Sequence, residues 1–466
     1  MWRRVLYKCH VLRNCVTLEC RRTLLSEAYA CRDVWQQRLQ SPVLQQFDAS
    51  ELAVKLSEKF EKEGKTSAVD MDILANKLDS IDTVQLDFVQ SIFYKYRHTN
   101  ECLEMPDSTP YALIRCLLEM GETDRILQML QDKINYGIFL DNFTANLLLD
   151  HFIENNMYQE GAAVAYDLML QEDFSHPISR ALAWYACHLH WKNNPPSAEP
   201  PAEPEEDDEK QIWIRVSFIE NPWYDDHFDL DRDSLKLGKT FVSVARGNSD
   251  LIGRSYQLIG WALYEKFESG LTLLRDCVKS GSVPAVTQEA IDQFRESLEA
   301  VQTKEPPEEK KDPGLVTMED VKPYYTADQK AKLLEEFQEL SNQLAATNGA
   351  VAQESLEEAL REQACAAIRS GEARDVEAQR ALLLQWDEDR QERLQSEMER
   401  MRKLQKKASI EQRLQELKAR EERLRFFEQE DKIHLSISQL PRMRPIEDVK
   451  EEEQFVGTPG ERGKGF

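Results

Sequence analysis

The chain holds 466 residues with a formal net charge of −25 and 31% charged side chains. That length accommodates two or three domains, and no stretch approaches the ~18 apolar residues of a membrane helix, so no membrane partner is expected. Nine cysteines include no C-x-x-C pair, which supports neither a zinc ribbon nor a disulfide framework and leaves free thiols in a reducing compartment.

The first 25 residues oppose the rest in charge. Arg3, Arg4, Lys8, Arg13, Arg21 and Arg22 face one acid, Glu19, and Trp2, Val5, Leu6, Cys9 and Leu12 fall on one side of a helix. An Arg-rich, acid-poor, amphipathic start is the composition of a mitochondrial transit peptide, expected over 1–25 with removal between Arg22 and Tyr29. From Ser50 the pattern turns helical, with Leu52, Leu56 and Phe60 on one face and Gly64 as a stop. Two further stretches, Met71 to Leu78 and Val84 to Arg97, read as a hairpin with Leu86, Val89, Phe93 and Tyr96 inward. That hairpin ends in Lys95-Tyr96-Arg97-His98. Lys95 and Arg97 could there contact RNA phosphates or simply set cations against the last helical carbonyls.

Thr109 to Pro177 repeats at a fixed period. Thr109-Pro110-Tyr111-Ala112-Leu113-Ile114 returns 35 residues later as Thr144-Ala145-Asn146-Leu147-Leu148-Leu149, and Gly121 maps onto Asn156 at the same offset. A helical repeat of this length signals a helix–turn–helix solenoid, since one unit cannot bury its apolar face alone. The first unit closes in Gly137-Ile138-Phe139-Leu140-Asp141 and the second opens in Phe143-Thr144-Ala145-Asn146-Leu147-Leu148. These residues resemble the pentatricopeptide repeat, although Leu140 stands where that family has Pro and Tyr111 where it has a small polar residue. The Trp and Gly-Tyr pair of tetratricopeptides are not in register. In pentatricopeptide proteins each repeat offers one base two or three side chains. The resemblance therefore implies Asn146, Asp141 and Tyr111 as base-facing residues. The solenoid is expected over 50–192, with further hairpins over 212–300. Over the next helix, His188-x-His190 beside Cys187 invites a metal, but residues two apart on a helix face different ways, and no metal or other cofactor is expected.

Residues 193–211 form a Pro/Glu/Asp-rich insertion unable to bury a core. Gly238-Lys239-Thr240 resembles the end of a phosphate loop but lacks the upstream glycine and strand, so nucleotide binding is rejected. An acidic linker spans 301–323, a helical segment 324–370 and a long helix 371–432, with a tail over 433–466. Leu333, Phe337, Leu340 and Leu344 make a coiled-coil-like seam. Asp375 to Lys432 contains no Pro or Gly and carries an imperfect apolar stripe, so this rod is expected to need a partner for burial. Arg400, Arg402, Lys403, Lys406 and Lys407 cluster on it without an intervening acid, either as a solvated face or as phosphate ligands.

Arg22-Thr23-Leu24-Leu25-Ser26, Tyr94-Lys95-Tyr96-Arg97-His98, Tyr136 to Thr144, Gln257 to Leu263 and Leu384-Gln385-Trp386 together resemble the protein twenty-seven family of the mitochondrial small ribosomal subunit. The resemblance implies a non-catalytic subunit that joins small-subunit rRNA to neighbouring ribosomal proteins in the matrix and supports translation. It implies no small-molecule substrate. The expected fold is all-α, a pentatricopeptide-like solenoid followed by a long coiled-coil-like C-terminal helix. Two other readings remain open at this point: a free-standing RNA-processing or RNA-stability factor, and a helical protein–protein adaptor. Truncation near Arg380 is expected to spare the solenoid.

Overall fold

The computed structural model describes residues 24–194, 230, 232–281, 284–303, 325–346, 351–353 and 355–439. Nearly all of the expected transit peptide, acidic insertion, linker and tail lies outside these residues. The chain divides into a body, residues 1–392, and a second unit, residues 393–466.

The body opens with short helices α1 (Arg32–Gln37) and α2 (Pro42–Gln45), followed by α3 (Ala49–Glu63), α4 (Ala68–Asn76) and α5 (Leu86–Arg97). The repeats follow as α6 (Ser108–Met120), α7 (Thr123–Gln131), α8 (Lys133–Tyr136), α9 (Asn142–Glu154), α10 (Tyr158–Leu170) and α11 (Pro177–Asn193). Then come α12 (Asp233–Ala245), α13 (Leu251–Leu263), α14 (Phe267–Ser280) and α15 (Gln288–Ala300). The series ends in α16 (Ala327–Ala346), α17 (Leu356–Glu428) and α18 (Glu430–Gln439). A two-residue parallel pairing joins Val286 with Val351 and Thr287 with Ala352, and a single parallel bridge joins Thr303 with Tyr325. The fold is all-α, as the composition and periodicity anticipate.

Local chemistry sets the helix ends. Asp48, Asp141 and Asp250 each accept the main-chain N–H three residues on, at 3.0, 3.3 and 2.9 Å, satisfying a donor left orphaned at a helix start. Gly121 and Asn156, the matched turn positions of the two units, both adopt positive φ, 79° and 58°. The repeat also extends one unit further than the sequence shows at first sight. Thr109, Thr144 and Ser179 stand at equal spacing, one at the start of each of α6, α9 and α11, and all three are buried. The helices stack in series: α4 on α6, α9 on α10 and α11, α11 on α12, and α12 on α13.

The seam of α16 has a partner inside the body rather than in another chain. Leu333, Phe337, Leu340 and Leu344 are buried, and Phe337 stacks on Phe294 of α15 with ring centroids 5.2 Å apart. Gly238, far from cradling phosphate, lies in a very close helix crossing. A Cβ there would lie 2.5 Å from Tyr264 N and 2.8 Å from Gly260 O, while one at Gly260 would meet Val242 Cγ2 at 2.8 Å. The two glycines let α12 and α13 touch backbone to backbone. Gly238→Ala is therefore expected to cost about 1–3 kcal/mol through overpacking, read as a lower midpoint in urea unfolding.

The long helix begins at Leu356, earlier than the glycine-free stretch implies, and runs unbroken through Gly371. Its missing side chain has a use there, because an added Cβ would sit 3.1 Å from Ile178 Cδ1. Leu356, Leu360, Ala364, Ile368, Gly371, Gln379 and Arg390 are its buried positions, and half-buried Asp375, Leu383 and Trp386 fill the intervals. This is one continuous stripe at three- and four-residue spacing. Up to Arg390, then, the rod is covered by its own chain, which corrects the expectation that all of it awaits a partner.

The second unit, described over residues 393–439, is helical and almost wholly exposed. Its portion of α17 covers roughly 50 Å at 1.5 Å per residue. Residues 433–439, read from the sequence as tail, are the end of α18.

Candidate RNA interface

The first helix of each hairpin, α4, α6, α9 and α11, would present the base-facing residues of a pentatricopeptide array. In this protein that face is filled. Asn146 is 0% exposed, and its Nδ2 donates to the Tyr29 hydroxyl at 2.7 Å. Tyr29 itself stacks on Phe143, centroids 4.5 Å apart and rings 9° from parallel. Tyr111 is buried between Trp35, 5.6 Å away edge-on, and Trp386 of α17, 5.1 Å away. Burial pushes the Tyr111 hydroxyl up to about 12, although Arg115, donating at 2.7 Å, partly offsets this. Two of the three residues expected to meet a base, Asn146 and Tyr111, thus meet protein, because residues 24–45 and the first half of α17 lie across them. Asp141 is exposed at its surface, but one carboxylate oxygen is engaged by the Thr144 N–H and hydroxyl as a helix cap. Its presence is explained by the cap.

The covering segments are held by charge as well as by rings. Trp35 lies between two guanidinium groups, Arg38 at 3.3 Å and Arg115 at 4.7 Å from its ring centre, and its Nε1 donates to Glu119 at 3.1 Å. Near the far end of the covering stripe, Arg390 Nε donates to Asp72 Oδ2 at 2.6 Å. The other oxygen of Asp72 accepts the hydroxyls of Ser108 and Thr109 at 2.5 and 2.9 Å. The Arg390 and Asp72 side chains are 3% and 2% exposed. Tyr29, Trp35, Asp72, Trp386 and Arg390 were not singled out by sequence reasoning as members of one site. The signal for α17 was nonetheless present, as the three- and four-residue stripe from Leu356 onward.

Lys95 is exposed at the end of α5, whereas Arg97 is half-buried. The Arg97 guanidinium lies over Gly137, where a Cβ would come within 2.8 Å of its Cζ, and Nη1 reaches Cys102 Sγ at 3.5 Å. Gly137 has φ +63°, so that position both turns the chain and admits the arginine. The two cations do not converge on one surface.

His188 and His190 face different partners. Tyr256 Oη lies 2.7 Å from His188 Nδ1, and His190 Nε2 lies 2.8 Å from Asp233 Oδ2. Burial pulls His188 down to about 3, with Lys192 adding a smaller push in the same direction. Among the described residues no group of three His, Cys, Asp or Glu could hold a metal ion, and no helix is long and apolar enough to cross a membrane. A histidine neutral in the fold and near 6.5 when unfolded binds more protons in the unfolded state between those values. Stability therefore declines as pH falls below about 6.5. Lowering pH from 6.5 to 5 is expected to remove about 2 kcal/mol, measured by urea unfolding at both pH values, and His188→Gln should flatten that dependence.

The five cations expected on the rod are all exposed and lie in the second unit. Arg400 makes two bonds to Glu397 at 2.8 and 2.7 Å, while Lys403 and Lys407 approach Glu399 and Glu411 at 4.0 and 3.9 Å. Exposed pairs of this kind are worth about 0–1 kcal/mol, so they do not withhold the cations from a stronger anion. At 100° per residue, Arg400, Lys403 and Lys407 share one side and Arg402 with Lys406 another, so cations wrap the helix. Over residues 393–439 twelve Lys and Arg stand against nine Asp and Glu, in a chain whose total is −25. The same helix exposes Met398, Met401, Leu404, Ile410, Leu414 and Leu417.

A family profile described as Mitochondrial 28S ribosomal protein S27 matches residues 1–416, a span that includes the repeats, the covering half of α17 and the cation cluster. With most of its length matched, the chain belongs to this family of mitochondrial small-subunit ribosomal proteins.

Proposed function

We propose that the protein is a non-catalytic subunit that ties small-subunit rRNA to neighbouring ribosomal proteins in the mitochondrial matrix, and so supports translation. The exposed, net-cationic helix of residues 393–439 in an otherwise acidic chain carries this reading. An acidic body is repelled by RNA at long range, so attachment must rest on local cations and on protein contacts. Arg400, Arg402, Lys403, Lys406 and Lys407 reach rRNA phosphates, while Leu394, Met401 and Leu404 dock on a neighbouring ribosomal protein. Lys95 and Arg97 are at most accessory contacts. A free-standing factor that reads bases would need Tyr111 and Asn146 open, and both are buried; an adaptor without RNA would have no use for the cations.

The test is replacement of the five cations with Gln. Partial release from the small subunit is expected, worsening with salt in sucrose-gradient sedimentation. The salt slope of binding to purified rRNA should fall by about one for each cation–phosphate pair removed. Wild-type behaviour at every salt concentration would sink the proposal.

A further inference from the structure

Beyond residue 392 the apolar residues of α17 form two stripes rather than one. Leu394, Met398, Met401 and Leu404 share one side of the helix at 100° per residue. Ile410, Leu414, Leu417 and Leu424 lie on the other side, about 170° round the axis, in the same half as the five cations of residues 400–407. These four side chains are 60%, 51%, 49% and 58% exposed, so half of each apolar surface stands in water. Their spacing of four, three and seven is that of a two-stranded coiled coil, with Ile410, Leu417 and Leu424 at d and Leu414 at a. In this register the next a position is Glu421, and the flanking positions hold Arg413, Lys418, Arg420 and Arg425 against one acid, Glu411. A second copy of the chain is a poor match for that pattern. Parallel self-pairing would set Glu421 on Glu421, Arg413 on Lys418 and Arg420 on Arg425, all of like charge. Antiparallel self-pairing with Leu414 opposite Leu417 would offset each Glu411–Lys418 attraction with an Arg413–Arg420 repulsion.

We propose that residues 410–424 pair, as a two-stranded coiled coil, with an α-helix of a different protein. That helix carries aliphatic residues at a and d, Glu or Asp at the flanking positions, and a Lys or Arg opposite Glu421. Flanking acids convert every like-charge contact of self-pairing into an attraction, and the cation facing Glu421 fixes the register. RNA would satisfy the flanking cations but leave the four aliphatic side chains in water, so the occupant is a protein helix. It approaches from the side opposite Leu394, Met401 and Leu404, and is therefore not the protein that those residues meet. The pairing depends on the order and exposure of residues 410–425 and not on whether the upstream cations bind rRNA.

The test uses the full chain and two synthetic helices. Both carry Leu and Ile at a and d with one Lys at the a position facing Glu421; one has Glu at every e and g, the other Lys. By fluorescence anisotropy in moderate salt, the acid-flanked helix is expected to bind at least tenfold more tightly than the Lys-flanked one. Arg413→Glu, Lys418→Glu, Arg420→Glu and Arg425→Glu together should invert that preference. Leu417→Asp should abolish binding of both helices while the body melts as before, because Leu417 is exposed. Replacing the five cations of residues 400–407 with Gln should leave the preference in place, which separates this pairing from rRNA attachment. Equal binding of the two helices, or parent-like binding by Leu417→Asp, would overturn the proposal. The occupant in mitochondria is identified with a photocrosslinking amino acid in place of Leu414 and mass spectrometry of the joined residues. The expected product lies in a heptad helix of another protein with acids beside its aliphatic seam. Crosslinks to a second copy of this chain, to RNA or to a non-helical surface would each contradict it.

Discussion

Replacing Asp72 with alanine is expected to lower the stability of the body by about 3–5 kcal/mol, the range for removing one member of a buried pair. The groups left behind set this cost. Arg390 Nε would be without its 2.6 Å acceptor, and the guanidinium would keep only Asp387, 3.1 Å from Nη1, in a site where Arg390 is 4% exposed. Ser108 and Thr109 would be deprived of their shared acceptor at the start of α6, and Asn76 of a partner at 3.3 Å. Each buried, unsatisfied donor adds its own desolvation cost. A double variant, Asp72→Leu with Arg390→Met, should recover the part of the deficit that comes from the stranded guanidinium, because two apolar groups need no partners there, while Ser108, Thr109 and Asn76 stay without this acceptor. Denaturant unfolding of the two variants and the parent chain measures this; a deficit below about 1 kcal/mol for Asp72→Ala would mean that the pair does not hold α17.

The second large effect concerns where the long helix can be cut. A chain ending at Gln379 removes Trp386 from Tyr111 and Arg390 from Asp72, both parts of the body. It is expected to be several kcal/mol less stable, a sizeable share of the ~5–15 kcal/mol that a domain has in total. Truncation near Arg380 is therefore expected to weaken the solenoid, where the sequence alone led us to expect that it would be spared. A chain ending at Glu392 keeps every buried position of α17 and should melt like the full chain by far-UV circular dichroism. Equal melting of both truncated chains would contradict the assignment of residues 380–392 to the body.

Local and periodic features could be read from the sequence. The 35-residue spacing of Thr109 and Thr144 needs only the chain itself, and it holds through to Ser179. The seam of Leu333, Phe337, Leu340 and Leu344 was legible as a helix face, but a face does not name its partner, which is Phe294 within the same chain for Phe337. Asp72 and Arg390 are 318 residues apart, and nothing in either residue's neighbours says which distant acid an arginine will meet. The boundary expected between residues 370 and 371 falls at Gly371, a residue type that weakens an isolated helix; there the helix continues, packed against Ile178. Tyr111 and Asn146 sit at the positions where the repeat family meets RNA. Their burial arises from two segments remote in sequence, so the repeat pattern alone could not reveal it.

Attachment to the ribosome is expected to reside in the helix beyond residue 392 and not on the covered face of the repeats. The most direct measurement is sedimentation of the chain ending at Glu392, first shown to melt like the full protein, with small subunits from mitochondria lacking the endogenous copy. This folded body is expected to stay at the top of the gradient in moderate salt while the full chain travels with the small subunit. A folded body that co-sediments like the full chain would contradict it and return the anchor to the repeats.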